Sequence, residues 1–127
     1  MIPHSRPTLS EEEIQAAATV LRSGQIAQGP AVEAFEEEMA AWLGLRGAVA
    51  VSSGTTALHL ALLALGVKAS DEVIIPSYVC AALYHAVMAT GATPVLAEID
   101  EKSLNLDPAD VNRKRTRKTK AIILVHS

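Results

Sequence analysis

The chain has 127 residues, of which half are hydrophobic and a fifth are charged, and its formal net charge is −3. This composition is typical of one modest globular domain, and it excludes a disordered chain. The longest apolar stretch, residues 57–65, contains His59 and is too short to cross a bilayer, so we predict no membrane partner. The single cysteine excludes an internal disulfide framework, and without a leader pattern we expect a cytoplasmic protein.

Two amphipathic helices are predicted first. Ser10 and Glu13 have the spacing of a capping box, so a helix is expected to begin there and to end at Gly24. A second helix is expected from Pro30, a favoured first helical residue, to Gly44. These helices predict a helical lead-in over residues 1–46.

Strands and helices then alternate over residues 47–127. Strands are predicted at 48–51, 72–75, 94–99 and 121–125, and helices at 55–65, at 79–90 and after Asp107-Pro108. Short apolar strands separated by helices indicate parallel crossovers and a sheet covered on both faces. The predicted fold class is therefore α/β, with a mainly parallel sheet.

A basic run occupies residues 113–120 and holds six of the eleven lysines and arginines. Such a run is compatible with a nucleic-acid or anion patch. No aromatic residue interleaves with it, however, and the rest of the chain is acidic. We therefore favour a solvated helix end and turn before a buried strand, and predict no nucleic-acid partner.

Five small polar residues, Ser52-Ser53-Gly54-Thr55-Thr56, separate the first predicted strand from an apolar helix. Unpaired backbone N–H groups and the positive end of the helix dipole meet at such a helix start. Gly54 allows close approach of a ligand, and the hydroxyls add donors, as a phosphate-binding turn requires. An ordinary Ser/Thr helix cap explains the same pattern equally well.

The segments "RPTLSEEEIQAAATVLRSGQIAQGPAVEAFEEEMAAWLG", "VAVSSGTTALHLALLALG", "DEVIIPSYV", "GATPVLAEIDEKSLNLDP" and "TKAIILVH" follow in order along the chain. Together they resemble the amino-terminal part of the DegT/DnrJ/StrS family of pyridoxal-phosphate-dependent sugar aminotransferases. The resemblance covers essentially all 127 residues. It implies the amino-terminal part of a fold-type I large domain that is cut short.

The resemblance also implies a set of cofactor-binding residues. Gly54, Thr55 and Thr56 match the segment that binds the phosphate of pyridoxal phosphate (PLP), and this match favours the phosphate site over a plain cap. Cys80 falls where family members usually carry an aromatic residue that stacks on the pyridine ring. Sulfur can pack on an aromatic ring, but a small buried helix residue is an equally good interpretation of Cys80.

Two further matches are weaker. His126 matches a family histidine near the site, although a packing or hydrogen-bonding role is favoured for it. The loop Gly24–Pro30 resembles a substrate-side loop near the dimer interface. His59 and His85 are expected to be satisfied core or interface residues, and no metal site is predicted.

No catalytic residue is assigned. The family's chemistry needs a lysine that forms a Schiff base and an acid against the pyridine nitrogen, and in the family both lie beyond the strand that matches residues 121–125. The chain's own lysines occupy loops or the basic run: Lys68, Lys102, Lys114, Lys118 and Lys120. Its aspartates resemble turn and cap residues: Asp71, Asp100, Asp107 and Asp110. The 127-residue chain alone is therefore expected to be inactive.

Three functional hypotheses follow. The first is the front half of a homodimeric aminotransferase that moves an amino group, from a donor such as glutamate, to a nucleotide-linked keto-sugar. The second is a non-catalytic module that binds a phosphorylated ligand or pairs with a separately made second half. The third is a regulatory or nucleic-acid-associated protein that uses the basic run. The first hypothesis is favoured, because the loop expected after the last predicted strand is absent from the sequence.

Overall fold

The computed structural model describes residues 5–126 and divides the chain into two compact units, one up to Ala50 and one from Val51. The helices are α1 (Glu11–Ser23), α2 (Pro30–Leu43), α3 (Gly54–Ala64), α4 (Ala82–Ala89) and α5 (Pro108–Lys114). The strands are β1 (Glu72–Pro76), β2 (Thr93–Ala97) and β3 (Thr119–Ile122). Within these described residues, none of the helices is long and apolar enough to span a membrane.

The first unit contains α1 and α2, and its helix ends confirm the signals in the sequence. The Ser10 hydroxyl accepts a hydrogen bond from the Glu12 N–H at 3.2 Å, and the Glu13 carboxylate accepts one from the Ser10 N–H at 2.6 Å. Gly24 and Gly44 end the two helices with φ values of +74° and +66°. Glycine adopts this left-handed conformation without the steric cost that a Cβ brings.

The second unit is a three-stranded parallel sheet in the order β2-β1-β3. The central strand β1 is buried on both faces. Val73 and Ile75 pack with residues of α3 and α4 on one face, and Ile74 packs with Leu106 on the other. A parallel sheet needs cover on both sides to shield its apolar strands, and α5 contacts β2. The predicted α/β class and parallel topology are confirmed.

One expected strand is absent, and the bounds of several other elements differ from the sequence-based expectation; β2, for example, ends at Ala97 and not at Ile99. Residues 48–51 form no strand, because no described strand pairs with them. The last strand is β3 at Thr119–Ile122, an alternately half-buried and exposed edge strand, whereas a buried strand was expected at 121–125. Helix α4 begins at Ala82, three residues later than expected, and its first turn lacks a side-chain cap.

Three segments at the carboxyl end of the sheet pack against one core cluster. Leu58 of α3, Val79 of the loop after β1, and Val125 beyond β3 all pack against the cluster that contains Ile75 and Leu83. In parallel α/β sheets, the loops after the carboxyl ends of strands are where ligands bind. The start of α3 and the loop after β1 therefore share the side of this unit where a ligand site is expected.

Candidate phosphate-binding site

Helix α3 begins with a cap built from two hydroxyl residues. Ser53 is the N-cap, and its Oγ accepts the N–H of Thr56 at 3.1 Å. The hydroxyls of Ser53 and Thr56 are 3.0 Å apart, and the N–H of Ala57 donates to the Ser53 carbonyl at 3.0 Å. The expected helix cap is therefore present. It occupies the N–H of Thr56 but leaves other donors of the first turn available.

The available donors are the N–H groups of Gly54 and Thr55. Among the described residues, neither finds an acceptor. A methyl group added at Gly54 would meet no heavy atom within 4 Å outside its chain neighbours and its own helix backbone, so the side-chain position of Gly54 is open. The first N–H groups of a helix carry a partial positive charge and favour an anion. The turn therefore has the donors, the charge and the space that a phosphate group requires.

The loop after β1 lies at the same end of the sheet. The Ser77 N–H donates to the Ala97 carbonyl at 2.8 Å, and its Oγ donates to Glu98 Oε2 at 3.2 Å. Tyr78 and Cys80 are both exposed. The interpretation of Cys80 as a small buried helix residue is therefore wrong, since Cys80 precedes α4 and faces solvent.

The expectation that Asp110 is a turn or cap residue is wrong. Asp110 is completely buried, and its Oδ2 accepts the Glu98 N–H at 2.6 Å. Arg113 and Lys114, one turn further along α5, form ion pairs with it. The hydrogen bond from the Glu98 N–H is the main reason that the pKa of Asp110 is lowered, and Lys114 adds to the effect.

The other three aspartates are turn and cap residues, as expected. Asp71 accepts the Lys68 N–H at 3.0 Å, and Asp107 caps α5 by accepting the Ala109 N–H at 2.9 Å. Asp100 accepts the N–H of Ser103 at 2.8 Å, and hydrogen bonds from Ser103 lower its pKa. Because each carboxylate is committed to local backbone groups, these aspartates stabilise turns.

The histidines are distributed over three places. His59 is half-buried in α3, while His85 is exposed on α4, with its ring in edge-to-face contact with Tyr84 at a centroid distance of 6.0 Å. His85 is therefore not a core residue. His126 is exposed beyond β3.

The basic run is divided between two elements. Arg113 and Lys114 end α5 and neutralise Asp110, whereas residues 115–118 form an exposed connection to β3. The expected helix end and turn are confirmed, although the following strand is not buried.

The loop Gly24–Pro30 lies in the first unit. Most residues of this loop, together with Val20 and Val32, line a cavity of about 390 Å³. The cavity is bordered mainly by apolar side chains, of which Ile26 is 75 % exposed.

A profile of the DegT/DnrJ/EryC1/StrS aminotransferase family matches residues 7–127. The chain belongs to this family. The spore coat polysaccharide biosynthesis protein SpsC of Bacillus subtilis (strain 168) is 45 % identical over 125 residues, which are 98 % of this chain and 32 % of SpsC.

Two solved members of the family superpose closely. Spr1654 from Streptococcus pneumoniae, in its PMP form, is 35 % identical with a TM-score of 0.92, over 97 % of this chain and 31 % of Spr1654. Escherichia coli GDP-4-keto-6-deoxy-D-mannose-3-dehydratase with bound hydrated PLP is 31 % identical with a TM-score of 0.86. The match covers 96 % of this chain and 33 % of the dehydratase chain. The chain thus spans about a third of the length of these relatives, and the family's cofactor is PLP.

The residues present fit the phosphate end of that cofactor. Gly54, Thr55 and Thr56 lie together at the open turn, with two free N–H donors and an adjacent hydroxyl. Cys80 lies in the loop after β1 and is exposed. Sequence reasoning did not single out Glu98, which accepts the Ser77 hydroxyl, or the role of Asp110 in accepting the Glu98 N–H.

Proposed function

We propose that the chain provides the phosphate-binding part of a PLP-dependent aminotransferase that acts on a nucleotide-linked keto-sugar. The proposal is carried by the two free N–H groups of Gly54 and Thr55 at the start of α3. Membership of the aminotransferase family and the PLP and PMP forms of its relatives support the choice of ligand. The amino donor, glutamate or a similar amino acid, and a homodimeric assembly are part of the proposal for the complete enzyme.

The chain's own residues hold and orient the cofactor in this proposal. Gly54 and Thr55 donate backbone hydrogen bonds to the phosphate, and the Thr56 hydroxyl adds a third donor. An anion at a helix start gains about 0.3–1 kcal/mol from the helix dipole and up to ~2 kcal/mol where it is partly buried. When bound, PLP supplies an electron-withdrawing ring for chemistry at the carbon that carries the amino group. Cys80 is proposed to contact the ring.

The chain by itself is proposed to be inactive, because none of its lysines matches the sequence context of the family's Schiff-base lysine. Lys114 is the one lysine in the described part of the chain whose ammonium group has hydrogen-bond partners, and these are Asp110 and the Leu96 carbonyl. Binding of the cofactor's phosphate is therefore the property to test.

The substitution Gly54→Asp separates phosphate binding from helix stability. An aspartate at the first residue of a helix interacts favourably with the dipole, so α3 keeps or gains stability. The same carboxylate repels a phosphate, and a like charge about 4 Å away at a protein surface costs roughly 1–4 kcal/mol. The dissociation constant of pyridoxamine phosphate, measured by calorimetry, is expected to rise at least about fivefold. Pyridoxamine phosphate is the probe because its amine forms no Schiff base with surface lysines.

Ala31→Asp is the matched control. Ala31 is exposed in the first turn of α2, so the substitution places the same charge at another helix start. It is expected to leave pyridoxamine phosphate binding unchanged. Equal affinity in G54D and the unmodified chain, with both folded, would show that the phosphate binds elsewhere.

A further inference from the structure

A series of hydrogen bonds continues past the last paired residues of β1 and β2. Pro76 and Ala97 are the final partners in the ladder, and Ser77 and Glu98 follow them directly. The Ser77 hydroxyl donates to Glu98 Oε2 at 3.2 Å, while the Ser77 N–H donates to the Ala97 carbonyl at 2.8 Å. Ser77 is thus held at two points, through its side chain and its backbone.

Glu98 is itself anchored from the opposite side of the sheet. Its N–H donates to the buried Oδ2 of Asp110 at 2.6 Å, and its carbonyl accepts the N–H of Asp107 at 2.9 Å. Lys114 donates to Asp110 at 2.9 Å and to the Leu96 carbonyl at 2.7 Å. The start of α5 and the end of β2 are therefore bound to each other by a charged and buried group, which restrains where Glu98 can place its carboxylate.

The loop that Ser77 begins has little packing of its own. Tyr78 is 71 % exposed and Cys80 is exposed, so Val79 is the one residue of 78–80 that packs against the core cluster. Leu58, one turn into α3 from the open N–H groups, packs against the same cluster. The loop and the start of α3 therefore both contact this cluster, and the hydrogen bonds from Ser77 to Ala97 and Glu98 are a second attachment of the loop.

We propose that Asp110, Glu98 and Ser77 are positioning residues that hold the loop 77–80 in place beside the phosphate-binding turn. Asp110 fixes the backbone of Glu98, the Glu98 carboxylate fixes the Ser77 hydroxyl, and Ser77 sets the course of the loop. A ligand bound at Gly54 and Thr55 then meets a loop that is already ordered, so less conformational entropy is lost on binding. The geometry of these contacts is independent of the proposed function, whereas their effect on a cofactor rests on it.

The test compares Glu98→Ala with Glu98→Gln. Glutamine keeps an oxygen that accepts the Ser77 hydroxyl, whereas alanine removes it. In E98A the amide hydrogen of Ser77 is expected to exchange about two- to tenfold faster, the range that one lost hydrogen bond produces, and pyridoxamine phosphate is expected to bind about two- to tenfold more weakly. E98Q is expected to restore both values to those of the unmodified chain.

Two controls separate positioning from general destabilisation. The Ala57 amide, which is bonded to the Ser53 carbonyl in α3, is expected to keep its exchange rate in E98A. Glu72→Ala removes a similar bond at the other end of β1, where Thr116 Oγ1 donates to Glu72 Oε2 at 2.6 Å. E72A is expected to leave both Ser77 exchange and pyridoxamine phosphate affinity unchanged.

Unchanged Ser77 exchange in E98A, or an E98Q variant that behaves like E98A, would overturn the positioning role. So would unchanged pyridoxamine phosphate affinity in E98A when G54D weakens binding. If G54D itself has no effect, the proposed function fails, and Ser77 exchange alone still decides whether Glu98 positions the loop.

Discussion

Asp110 shows at the level of one residue how a charge is accommodated in a small core. A buried carboxylate is stable in a protein only when it is paired and hydrogen-bonded. Here one oxygen accepts the Glu98 N–H, and Arg113 and Lys114 neutralise the charge from the same helix. The hydrogen bond from Glu98 and the neighbouring cations outweigh the effect of burial, so the pKa of Asp110 lies below its ordinary value.

Asp110→Asn is expected to lower the urea midpoint of unfolding at pH 6. A carboxylate whose folded pKa is depressed adds stability above its unfolded pKa of about 3.9 and loses it as pH falls through the lower folded pKa. The difference in urea midpoint between the unmodified chain and the Asp110→Asn variant is therefore expected to shrink below about pH 4. Urea unfolding at several pH values between 3 and 6 measures it. A difference that stays constant over this range would show that the ionised form of Asp110 is not what stabilises the fold.

The burial of Asp110 was readable from the sequence only in part. Arg113 and Lys114 follow it at helical spacing of three and four residues, which predicts ion pairs on one face of α5. That spacing is also typical of exposed helix surfaces. The partner that buries Asp110 is the backbone of Glu98, and this contact depends on how α5 docks on β2, which no local pattern encodes.

At the level of elements, the strands differ in how much they contribute to stability. Ile74 in β1 and Ile122 in β3 are register partners in the sheet, but Ile74 is completely buried and Ile122 is 41 % exposed. Ile74→Ala is expected to lower the free energy of unfolding by roughly 2–5 kcal/mol, because it leaves a cavity in the core.

Ile122→Ala makes the same chemical change and is expected to cost clearly less, because its site is partly solvated already and can relax. Chemical denaturation of the two variants side by side measures the difference. Equal losses would contradict the assignment of β1 as the central, doubly covered strand.

Element types were more predictable than element limits. The capping box of α1 and the glycines that end α1 and α2 are local signals, and the structure agrees with them. The expected strand at 48–51 and the expected limits of β3 were wrong, because a strand extends only as far as a neighbour pairs with it. Before α4, Ser77 is hydrogen-bonded to Ala97 and Glu98, and such tertiary contacts are not encoded in a local sequence pattern.

At the level of the whole molecule, the lysines are spread over different parts of the second unit. Lys68 precedes β1 and Lys118 precedes β3, both at the amino ends of strands, while Lys102 lies in the turn that Asp100 stabilises. Gly54 and Thr55, in contrast, lie at the end of the sheet where Val79 and Val125 pack. Lys68 and Lys118 therefore lie at the opposite end of the sheet from Gly54 and Thr55.

Reduction of a PLP mixture with borohydride is expected to label several lysines of the 127-residue chain at low yield. Peptide mapping by mass spectrometry measures the distribution, and a mixture reduced in the presence of excess inorganic phosphate serves as the control. A stoichiometric adduct at one lysine, lost in excess phosphate, would contradict the proposal that this chain is inactive alone.

The outer edge of β2 has fewer backbone N–H donors for an added strand than an edge without proline. Because the Thr93 N–H donates inwards to the Asp71 carbonyl, the next backbone nitrogen faces outwards, and that residue is Pro94, which has no N–H. The outer edge of β2 thus lacks a donor that an added strand needs, as is common for protected edges. Fibre growth by strand addition requires two receptive edges on every copy. By removing one donor from the outer edge of β2, Pro94 therefore opposes open-ended stacking of this sheet.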